Sequence, residues 1–453
     1  MEKALLVLIK TKRQYAGNKP LTEKKPGAGK ISGSLETRIK NTGFDPEEEI
    51  EELRNLAISA GASVGGAILH SQNEINPGYY ISSGKLEEIK NIVSSGSYDL
   101  VIFDNDLSPA QQKNIESRLK LKIIDRTALI LDIFAQRARS SEGKLQVELA
   151  QLNYLLPRLR GKGVELSRLG GGIGTRGPGE QKLEVDRRKI RKRISQLENK
   201  IEQISVQREV QRKRRQVRNI FQVSLIGYTN SGKSTLLNTL TRSNVFVKNM
   251  LFSTLDSTTR KIKVHEIDEI LISDTVGFIE KLPHKLVAAL RSTLEEVIKS
   301  DLLLLIVDLS NKNFNHHIKS VMSVLKDIGV ANKQIIIIFN KIDRLESDIL
   351  KALKLRYRNT VFISALRKTG LAELYEKIKK AVDKNRLAVT VKVPYTDADI
   401  ISYIYNNCKI LSKKYDIDSA IFSINSDVTV YNRISGYIYK DKNEKRDIKD
   451  DNT

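Results

Sequence analysis

The sequence contains a single cysteine, Cys408, and its apolar runs are short. One cysteine cannot form an internal disulfide framework or a cysteine-based metal cluster, so both kinds of site are excluded. The runs "ALLVLI", "LLLLIV" and "IIIIF" have the length of a β-strand, which is too short for a membrane span or for the core of a signal peptide. We therefore expect a soluble, cytosolic protein with no stable membrane insertion.

Acidic residues are outnumbered, and the imbalance is concentrated in one segment. The 453 residues include 77 Lys or Arg and 54 Asp or Glu, a formal net charge of +23. Residues 158–218 hold 19 Lys or Arg against 7 Asp or Glu, a net of +12 and about half of the surplus. Such a surplus is typical of proteins with an anionic partner, either nucleic acid or an anionic membrane surface. Because neutralising acids are scarce in the segment, we predict contact with nucleic acid rather than a merely solvated helix face.

Aromatic residues are absent between Gln181 and Asn219, within this basic segment. Binding of single strands uses aromatic side chains on which bases stack, so the segment is unsuited to it. Phosphate contacts along a structured duplex need only cations. The predicted partner is therefore structured nucleic acid.

The pattern of apolar residues changes along the chain, whose length suggests about three domains at roughly 150 residues each. Residues 1–126 alternate short apolar runs with amphipathic stretches, which predicts an α/β domain with a mainly parallel sheet. A polar insert near residues 11–43, rich in Gly, Pro and Lys, is predicted to be a mobile loop. Towards the other end, we predict a small C-terminal α/β domain over residues 385–440 and a disordered tail over residues 441–453.

Residues 127–220 have a helical period and predict a long antiparallel helical hairpin. The two seams are Leu145, Leu149, Leu152 and Leu156, and Ile190, Ile194, Leu197 and Ile201. Pro157 should end or kink the first helix, which leaves the glycine-rich stretch 161–181 as the free tip. This tip contains "GIGTRG", the glycine spacing of a dinucleotide-binding loop. No strand-like run leads into Gly172, so the spacing does not predict a nucleotide site here.

The stretch "FQVSLIGYTNSGKST" has the full pattern of a phosphate-binding loop that follows a strand and opens a helix. Its backbone amides can wrap the phosphates, Lys233 can reach the β- and γ-phosphate oxygens, and the Ser234 hydroxyl can ligate Mg²⁺. The predicted phosphate-binding residues are Gly227, Tyr228, Thr229, Asn230, Ser231, Gly232, Lys233 and Ser234.

Three further motifs each end a predicted strand. In "DTVG", Asp274 can hold the Mg²⁺ shell and the Gly277 amide can sense a γ-phosphate. In "NKID", Asp343 can pair with the ring N–H and the exocyclic amine of guanine, an edge that adenine lacks. In "SAL", backbone amides can meet the guanine oxygen. Together with the phosphate loop, these motifs predict a GTP-binding domain over residues 221–384. The additional nucleotide-lining residues are Asp274, Thr275, Val276, Gly277, Asn340, Lys341, Ile342, Asp343, Ser364, Ala365 and Leu366.

The segment "NMLFSTLDSTTR" lies between the phosphate loop and "DTVG" and is the place for a threonine that closes over Mg²⁺ when a γ-phosphate is present. Thr254, Thr258 and Thr259 all carry the required hydroxyl. Chemistry alone leaves the choice among the three open.

Phe278 follows "DTVG", where many GTPases carry a glutamine that orients the attacking water. A phenylalanine side chain cannot hydrogen-bond to that water, so the isolated protein should hydrolyse GTP slowly. The alternative is that Phe278 only packs and another side chain supplies the function. No residue is identified as the catalytic base.

Taken together, the motifs resemble those of the HflX family of ribosome-associated GTPases. The resemblance rests on "IDRTALILDIFAQRARSSEGKLQVELAQL", "GGIGTRGPGE", "GYTNSGKST", "LFSTLD", "DTVGFIEKLPH" and "NKID", in family order. It covers the middle of the chain and leaves the insert near residues 11–43 unmatched. It implies that Thr254 binds Mg²⁺ together with Ser234. It also implies that the "FSTLD" residues line GTP; these are Phe252, Ser253, Thr254, Leu255 and Asp256.

The resemblance further implies a partner and an action. A family member is expected to bind the large ribosomal subunit and its ribosomal RNA, with the hairpin tip reaching towards the peptidyl-transferase centre, and to split stalled or idle ribosomes into subunits. We expect a monomeric, Mg²⁺-dependent GTPase, slow alone and stimulated by the ribosome. The alternative is a GTP-gated RNA-binding or ribosome-assembly protein without splitting activity. The basic hairpin fits both, whereas a small-residue loop on a stiff stalk suits insertion into a confined channel.

Overall fold

A computed structural model describes residues 1–11, 46–159, 178–217, 220–241, 251–252, 256–263, 269–279, 291–384, 387–426 and 428–439. The predicted insert beyond Thr11, the predicted tail and the glycine-rich tip up to residue 177 lie outside these residues, as do Ser253, Thr254 and Leu255. No helix within the described ranges is both long and apolar enough to cross a membrane.

The N-terminal unit is a four-stranded parallel sheet with helices on both faces. Its elements are β1 (Lys3–Thr11), α1 (Pro46–Ala60), β2 (Ser63–Gln72), α2 (Ser83–Gly96), β3 (Leu100–Phe103), α3 (Pro109–Leu119), β4 (Lys122–Asp125) and α4 (Arg126–Arg137). The strand order is β2-β1-β3-β4. Ala4 and Leu6 of β1 pack with α1 and α4, whereas Leu5 and Val7 pack with α2 and α3. Burial on both faces explains why this strand is continuously apolar.

Helix α4 packs into the N-terminal unit, which differs from the hairpin predicted to start at residue 127. Asp125 caps the helix by accepting a hydrogen bond from the Ala128 amide at 2.8 Å. Ile130 and Phe134 are buried against the sheet. The helical period over this stretch is therefore that of a helix on a sheet, because periodicity reveals the buried face of a helix but not its packing partner.

Two helices, α5 (Ser141–Arg158) and α6 (Pro178–Val217), follow the N-terminal unit and pack against each other; we call the pair the stalk. The Arg193 guanidinium donates two hydrogen bonds to Glu148, at 2.7 and 2.9 Å, and Leu197 is fully buried. Helix α5 ends one residue after Pro157, where the sequence predicts a stop. Helix α6 begins within the predicted tip. With 40 residues it is about 60 Å long.

The predicted GTP-binding domain, called the GTPase domain below, has a six-stranded sheet in the order β10-β9-β8-β5-β7-β6, and among its described strands only β6 runs antiparallel. Its elements are β5 (Gln222–Gly227), α7 (Lys233–Thr241), β6 (Thr258–Lys263), β7 (Glu269–Asp274), α8 (Arg291–Lys299), β8 (Leu302–Asp308), α9 (Phe314–Asp327), β9 (Gln334–Asn340), α10 (Ser347–Arg356), β10 (Val361–Phe362) and α11 (Leu371–Lys384). Apolar cores lie on both faces. The parallel strands bring the ends of β5, β7, β8 and β9 to one edge of the sheet, where α/β proteins bind ligands.

A small antiparallel sheet, β11-β13-β12, completes the chain. Its elements are β11 (Leu387–Pro394), α12 (Ala398–Asn407), β12 (Lys409–Tyr415), β13 (Ser419–Ser426) and α13 (Val428–Ile434). Val391, Phe422 and Ile404 belong to its core. The predicted fold class, a mixed α/β protein with a mainly parallel GTPase sheet and a small C-terminal sheet domain, is confirmed.

One apolar cluster joins the N-terminal unit, the stalk and the GTPase domain; we call it the shared core. The N-terminal unit and stalk contribute residues that include Leu56, Ile130, Phe134 and Val147. The GTPase domain contributes Tyr228, Leu251, Phe252, Val276 and Ile279. The Phe134 and Phe252 rings meet edge to face, with centroids 4.8 Å apart.

A buried charge network runs beside the shared core. The Arg126 guanidinium, almost fully buried, lies 2.5 Å from Asp104 and also pairs with Glu52. The second carboxylate oxygen of Glu52 accepts a hydrogen bond from the Tyr228 hydroxyl. Through this network, a buried cation of the N-terminal unit is linked to the phosphate loop.

Replacing Arg126 by methionine should destabilise the protein by about 3 to 5 kcal/mol, because the buried Asp104 carboxylate and the partly buried Glu52 carboxylate lose their cation. Urea unfolding measures the change. Arg118→Met is the control, since Arg118 also pairs with a glutamate, Glu87, but both side chains are about half exposed. It should cost less than about 1 kcal/mol. Equal losses in the two variants would contradict the importance of the buried network.

Candidate nucleotide-binding site

The phosphate loop joins β5 to α7, and its glycines allow a tight turn. Gly227 and Gly232 have φ angles of 152° and 96°, which L side chains rarely adopt. A Cβ atom at Gly227 would lie 2.2 Å from the Ile306 carbonyl oxygen, and one at Gly232 would lie 2.2 Å from the Asn340 amide nitrogen. Both positions therefore require glycine. The backbone amides of the loop precede the N-terminus of α7, where an anion can bind.

Lys233 lies in the first turn of α7 and bends back over the loop. Its ammonium donates to the carbonyl oxygens of Gly227 and Tyr228, at 3.2 and 2.8 Å. Burial lowers the pKa of Lys233 to about 8, and the nearby carboxylate of Asp274 only partly offsets this effect. An anionic ligand beside the ammonium would favour its charged form.

Of the residues predicted at the Mg²⁺ side, Ser234 and Asp274 come together at the ends of β5 and β7. The Ser234 hydroxyl donates to the Asp274 carboxylate at 2.6 Å, and both side chains are buried. The buried Thr229 and Ser231 hydroxyl oxygens have no hydrogen-bond partner among the described residues. Buried hydroxyls are normally satisfied, so these groups fit a site that receives a polar ligand such as a nucleotide phosphate.

The "DTVG" loop closes directly over the phosphate loop. The Phe278 amide donates to the Gly227 carbonyl at 3.0 Å, and the Thr229 amide donates to the Phe278 carbonyl at 2.8 Å. A Cβ atom at Gly277 would lie 2.8 Å from the Thr229 Cα and 3.0 Å from the Lys233 ammonium. The Phe278 side chain is buried in the core of the GTPase domain. It packs in this core and offers no polar atom to a water molecule.

The residues predicted to recognise guanine meet at the ends of β9 and β10. The Asn340 amide group donates to the Ser231 carbonyl at 2.9 Å and accepts from the Ala365 amide at 3.0 Å. The Ser364 hydroxyl donates to the Asp343 carboxylate at 2.5 Å. These contacts fix the orientation of the "NKID" side chains relative to the phosphate loop.

Lys341 occupies the left-handed region, with a φ angle of 63°, and its ammonium pairs with Asp308 at 2.7 Å. Ile342 begins a short 3₁₀ turn, and Leu366 is largely exposed beside the site.

The "FSTLD" segment is described only at its two ends. Phe252 is buried in the shared core, with a φ angle of 52°. The Asp256 carboxylate accepts hydrogen bonds at the start of α5, from Arg139 and Ser140. Of the competing threonines, Thr258 and Thr259 belong to β6, where the Thr259 hydroxyl meets that of Ser273 at 2.8 Å. The contact of Asp256 with α5 was not predicted from the sequence, because no local pattern marks it.

Tyr228 makes a second contact that sequence reasoning missed. Besides its hydrogen bond to Glu52, its ring stacks on His317 with centroids 3.9 Å apart. Glu52, His317 and Tyr228 border a cavity of about 430 Å³ between α1 and the phosphate loop. The only sequence signal was the acidic run "DPEEEIEE", which reads equally well as a solvated helix start.

Asp343→Asn should weaken GTP binding by about 1.5 to 3 kcal/mol, because a charged acceptor for two guanine N–H groups becomes an amide that presents a donor to one of them. Titration with labelled GTP measures the loss. Asp348→Asn serves as the control, since Asp348 is a highly exposed aspartate at the start of α10. Equal affinities for wild type and Asp343→Asn would remove Asp343 from a base-reading role.

GTP binding should take up a proton when the pH is raised above the pKa of Lys233. The free protein holds Lys233 mostly neutral above about pH 8, whereas the phosphates require the ammonium. GTP affinity should therefore fall by up to about tenfold per pH unit above pH 8. Calorimetric titrations at pH 7 and pH 9, in buffers of different ionisation enthalpy, measure the uptake. Proton uptake that does not rise between these two pH values would contradict the assignment.

Comparison with known protein families agrees with this geometry. Residues 47–135 match the model "GTP-binding GTPase N-terminal", residues 137–215 match "GTP-binding GTPase Middle Region", and residues 222–341 match "50S ribosome-binding GTPase". The second match covers the stalk up to residue 215, and the third contains the phosphate loop, "DTVG" and the first two residues of "NKID", Asn340 and Lys341.

Among curated proteins, the chain is similar to the GTPase HflX of Caldanaerobacter subterraneus, with 47% identity over 85% of this chain and 88% of the relative. It is 41% identical to the GTPase HflX of Escherichia coli, over 79% of this chain and 84% of that protein. A solved structure of a GTP-binding protein from Sulfolobus solfataricus in complex with GDP is 26% identical, covers 85% of this chain and 99% of its own, and gives a TM-score of 0.40. With family-level identity over most of its length, the chain belongs to the HflX family of GTPases and binds and hydrolyses guanine nucleotide.

Proposed function

We propose that this GTPase binds the large ribosomal subunit through its ribosomal RNA and splits stalled or idle ribosomes into subunits, with the glycine-rich tip reaching towards the peptidyl-transferase centre. The match to a ribosome-binding GTPase model supports ribosome association as the general activity. In this proposal the protein acts as a monomer in the cytoplasm. Its hydrolysis is slow alone and is stimulated by the ribosome.

The observation that carries the proposal is the shared core. The phosphate loop, the "FSTLD" segment and the "DTVG" loop contribute Tyr228, Phe252 and Val276 to the cluster that also contains α4 and α5. These three segments surround the phosphates in the proposed site. A change at the γ-phosphate therefore alters the packing where the stalk is attached, because a packed core does not deform continuously.

The stalk supplies the surface for ribosomal RNA. The segment 158–218 has a net charge of +12, and side chains such as Arg188 and Lys189 are more than 70% exposed. Exposed cations on a helix suit sequence-independent contacts with phosphates. By themselves, these cations fit the second candidate equally well, a GTP-gated RNA-binding or assembly protein.

In the nucleotide site, we assign the phosphates to the amides of Gly227 to Ser234 and to Lys233, and the guanine to Asp343 with Asn340. Mg²⁺ would be held by Ser234 and Thr254, with Asp274 in its outer shell; when bound, it neutralises charge on the β- and γ-phosphates. Phe278 excludes water from its side of the loop and leaves hydrolysis dependent on a group supplied by the ribosome.

Replacing Gly170 to Glu180 with a short Gly-Ser turn should abolish ribosome splitting and leave GTP binding unchanged, because the phosphate loop lies on another domain. Sedimentation of ribosomes with GTP, GDP and a non-hydrolysable analogue measures splitting. Lys233→Ala is the converse control, which should lose GTP binding and keep an intact tip. Arg176→Ala tests the charged group within the glycine run.

Normal splitting by the protein without its tip would contradict insertion and favour the GTP-gated binding function. Nucleotide-dependent ribosome binding with no splitting in wild type would do the same.

A further inference from the structure

The two described ends of "FSTLD" are both attached outside the GTPase domain. Phe252 packs edge to face on Phe134 of α4, and both rings are almost fully buried. Asp256 contacts the start of α5. Only three residues separate these two anchors along the chain, and both anchors lie at the corner between α4 and α5.

The Asp256 carboxylate fits the start of α5 closely. It accepts hydrogen bonds from the backbone amides of Arg139 and Ser140, at 2.8 and 2.7 Å, and from the Ser140 hydroxyl at 2.5 Å. The same hydroxyl caps α5 by accepting the Gly143 amide at 2.9 Å. A carboxylate at this end of a helix also interacts favourably with the helix dipole. Asp256 thus adds a charged acceptor from another domain to the N-terminal cap of the stalk.

Gly143 makes the approach possible. A Cβ atom there would lie 2.4 Å from one Asp256 oxygen and 2.9 Å from the Ser140 hydroxyl oxygen. Glycine in the first turns of a helix is unfavourable by itself, since alanine is the better helix former. The glycine at position 143 is explained by the Asp256 carboxylate, because a side chain there would clash with it.

We propose that Asp256 is a positioning residue that couples the nucleotide state to the stalk. The inference rests on the proposed function, because it names the contact through which GTP would control ribosome binding. The γ-phosphate orders the switch threonine in GTPases, and Asp256 lies two residues beyond Thr254. GTP therefore holds the carboxylate on α5, and GDP loosens it. GTP would thereby raise the affinity of the stalk for the ribosome. By linkage, binding of the ribosome to the stalk raises the affinity for GTP by that same factor.

Gly143→Ala tests the contact from the stalk side, without altering any residue of the nucleotide site. The added methyl group displaces the carboxylate while improving the helix propensity of α5. Gly84→Ala is the matched control. Gly84 also lies in the first turn of a helix, α2 of the N-terminal unit, and its Cβ would meet nothing within 4 Å.

Ser140→Ala is a second variant that removes a donor instead of adding bulk. Its matched control is Ser108→Ala, which removes the N-terminal cap of α3, away from the GTPase domain. Ser140→Thr keeps the hydroxyl and should behave as wild type.

Hydrogen exchange gives a readout that needs no ribosome. In wild type, the amides of Arg139 and Ser140 should exchange about tenfold more slowly with a non-hydrolysable GTP analogue than with GDP. The difference should vanish in Gly143→Ala, shrink in Ser140→Ala and persist in both controls. Equal exchange with the two nucleotides in wild type would overturn the proposal.

Ribosome binding separates this inference from the proposed function. Wild type should bind ribosomes at least about fivefold more tightly with the GTP analogue than with GDP, and the ratio should approach one in Gly143→Ala. By linkage, the preference of the free protein for the GTP analogue over GDP should fall in the same variant and stay unchanged in Gly84→Ala. A ratio of one in wild type would overturn the proposed function. A ratio that survives in Gly143→Ala, or that is lost equally in Gly84→Ala, would overturn the coupling by Asp256.

Discussion

Burial of apolar side chains in the shared core is the constraint on which the rest of the structure depends. Phe134 and Phe252 are almost fully buried, and their rings pack against each other across the boundary between two units. Separating those units would expose both rings to water, and burying one such ring is worth about 1.5 to 3 kcal/mol. The GTPase domain and the stalk-bearing unit therefore hold a defined relative position, which polar contacts alone would not fix.

The polar contacts at this boundary depend on the apolar contacts beside them. Glu52 pairs with the almost fully buried Arg126 and accepts a hydrogen bond from the Tyr228 hydroxyl beside the shared core. In water such pairs contribute little, whereas a buried charge without its partner is costly. The network thus fixes the relative position of the two units more than it adds to their stability. Tyr228 stands at the centre of this arrangement, since it belongs at once to the phosphate loop, the shared core and the charge network.

The sequence predicted the positions of the motifs at strand ends well and the contacts between units poorly. The phosphate loop, "DTVG" and "NKID" are contiguous motifs at strand ends, so their positions follow from spacing, and their assembly at one sheet edge follows from parallel topology. Helix α4 was grouped with the stalk because a helical period does not name its partner. The contacts of Asp256 with Ser140 and of Tyr228 with Glu52 join residues more than 100 positions apart. No periodicity or motif encodes such pairs, because they arise only when two folded units meet.

The length of α6 has a mechanical consequence. The helix extends for 40 residues and leads almost directly into β5, the strand that ends at the phosphate loop. A rod about 60 Å long that tilts by about 5° at its base displaces its far end by about 5 Å. Motions at the nucleotide too small to rearrange the fold would be magnified at the opposite end of the stalk. A helix of this length would act as a lever, in which a small tilt at its base becomes a larger displacement at its far end.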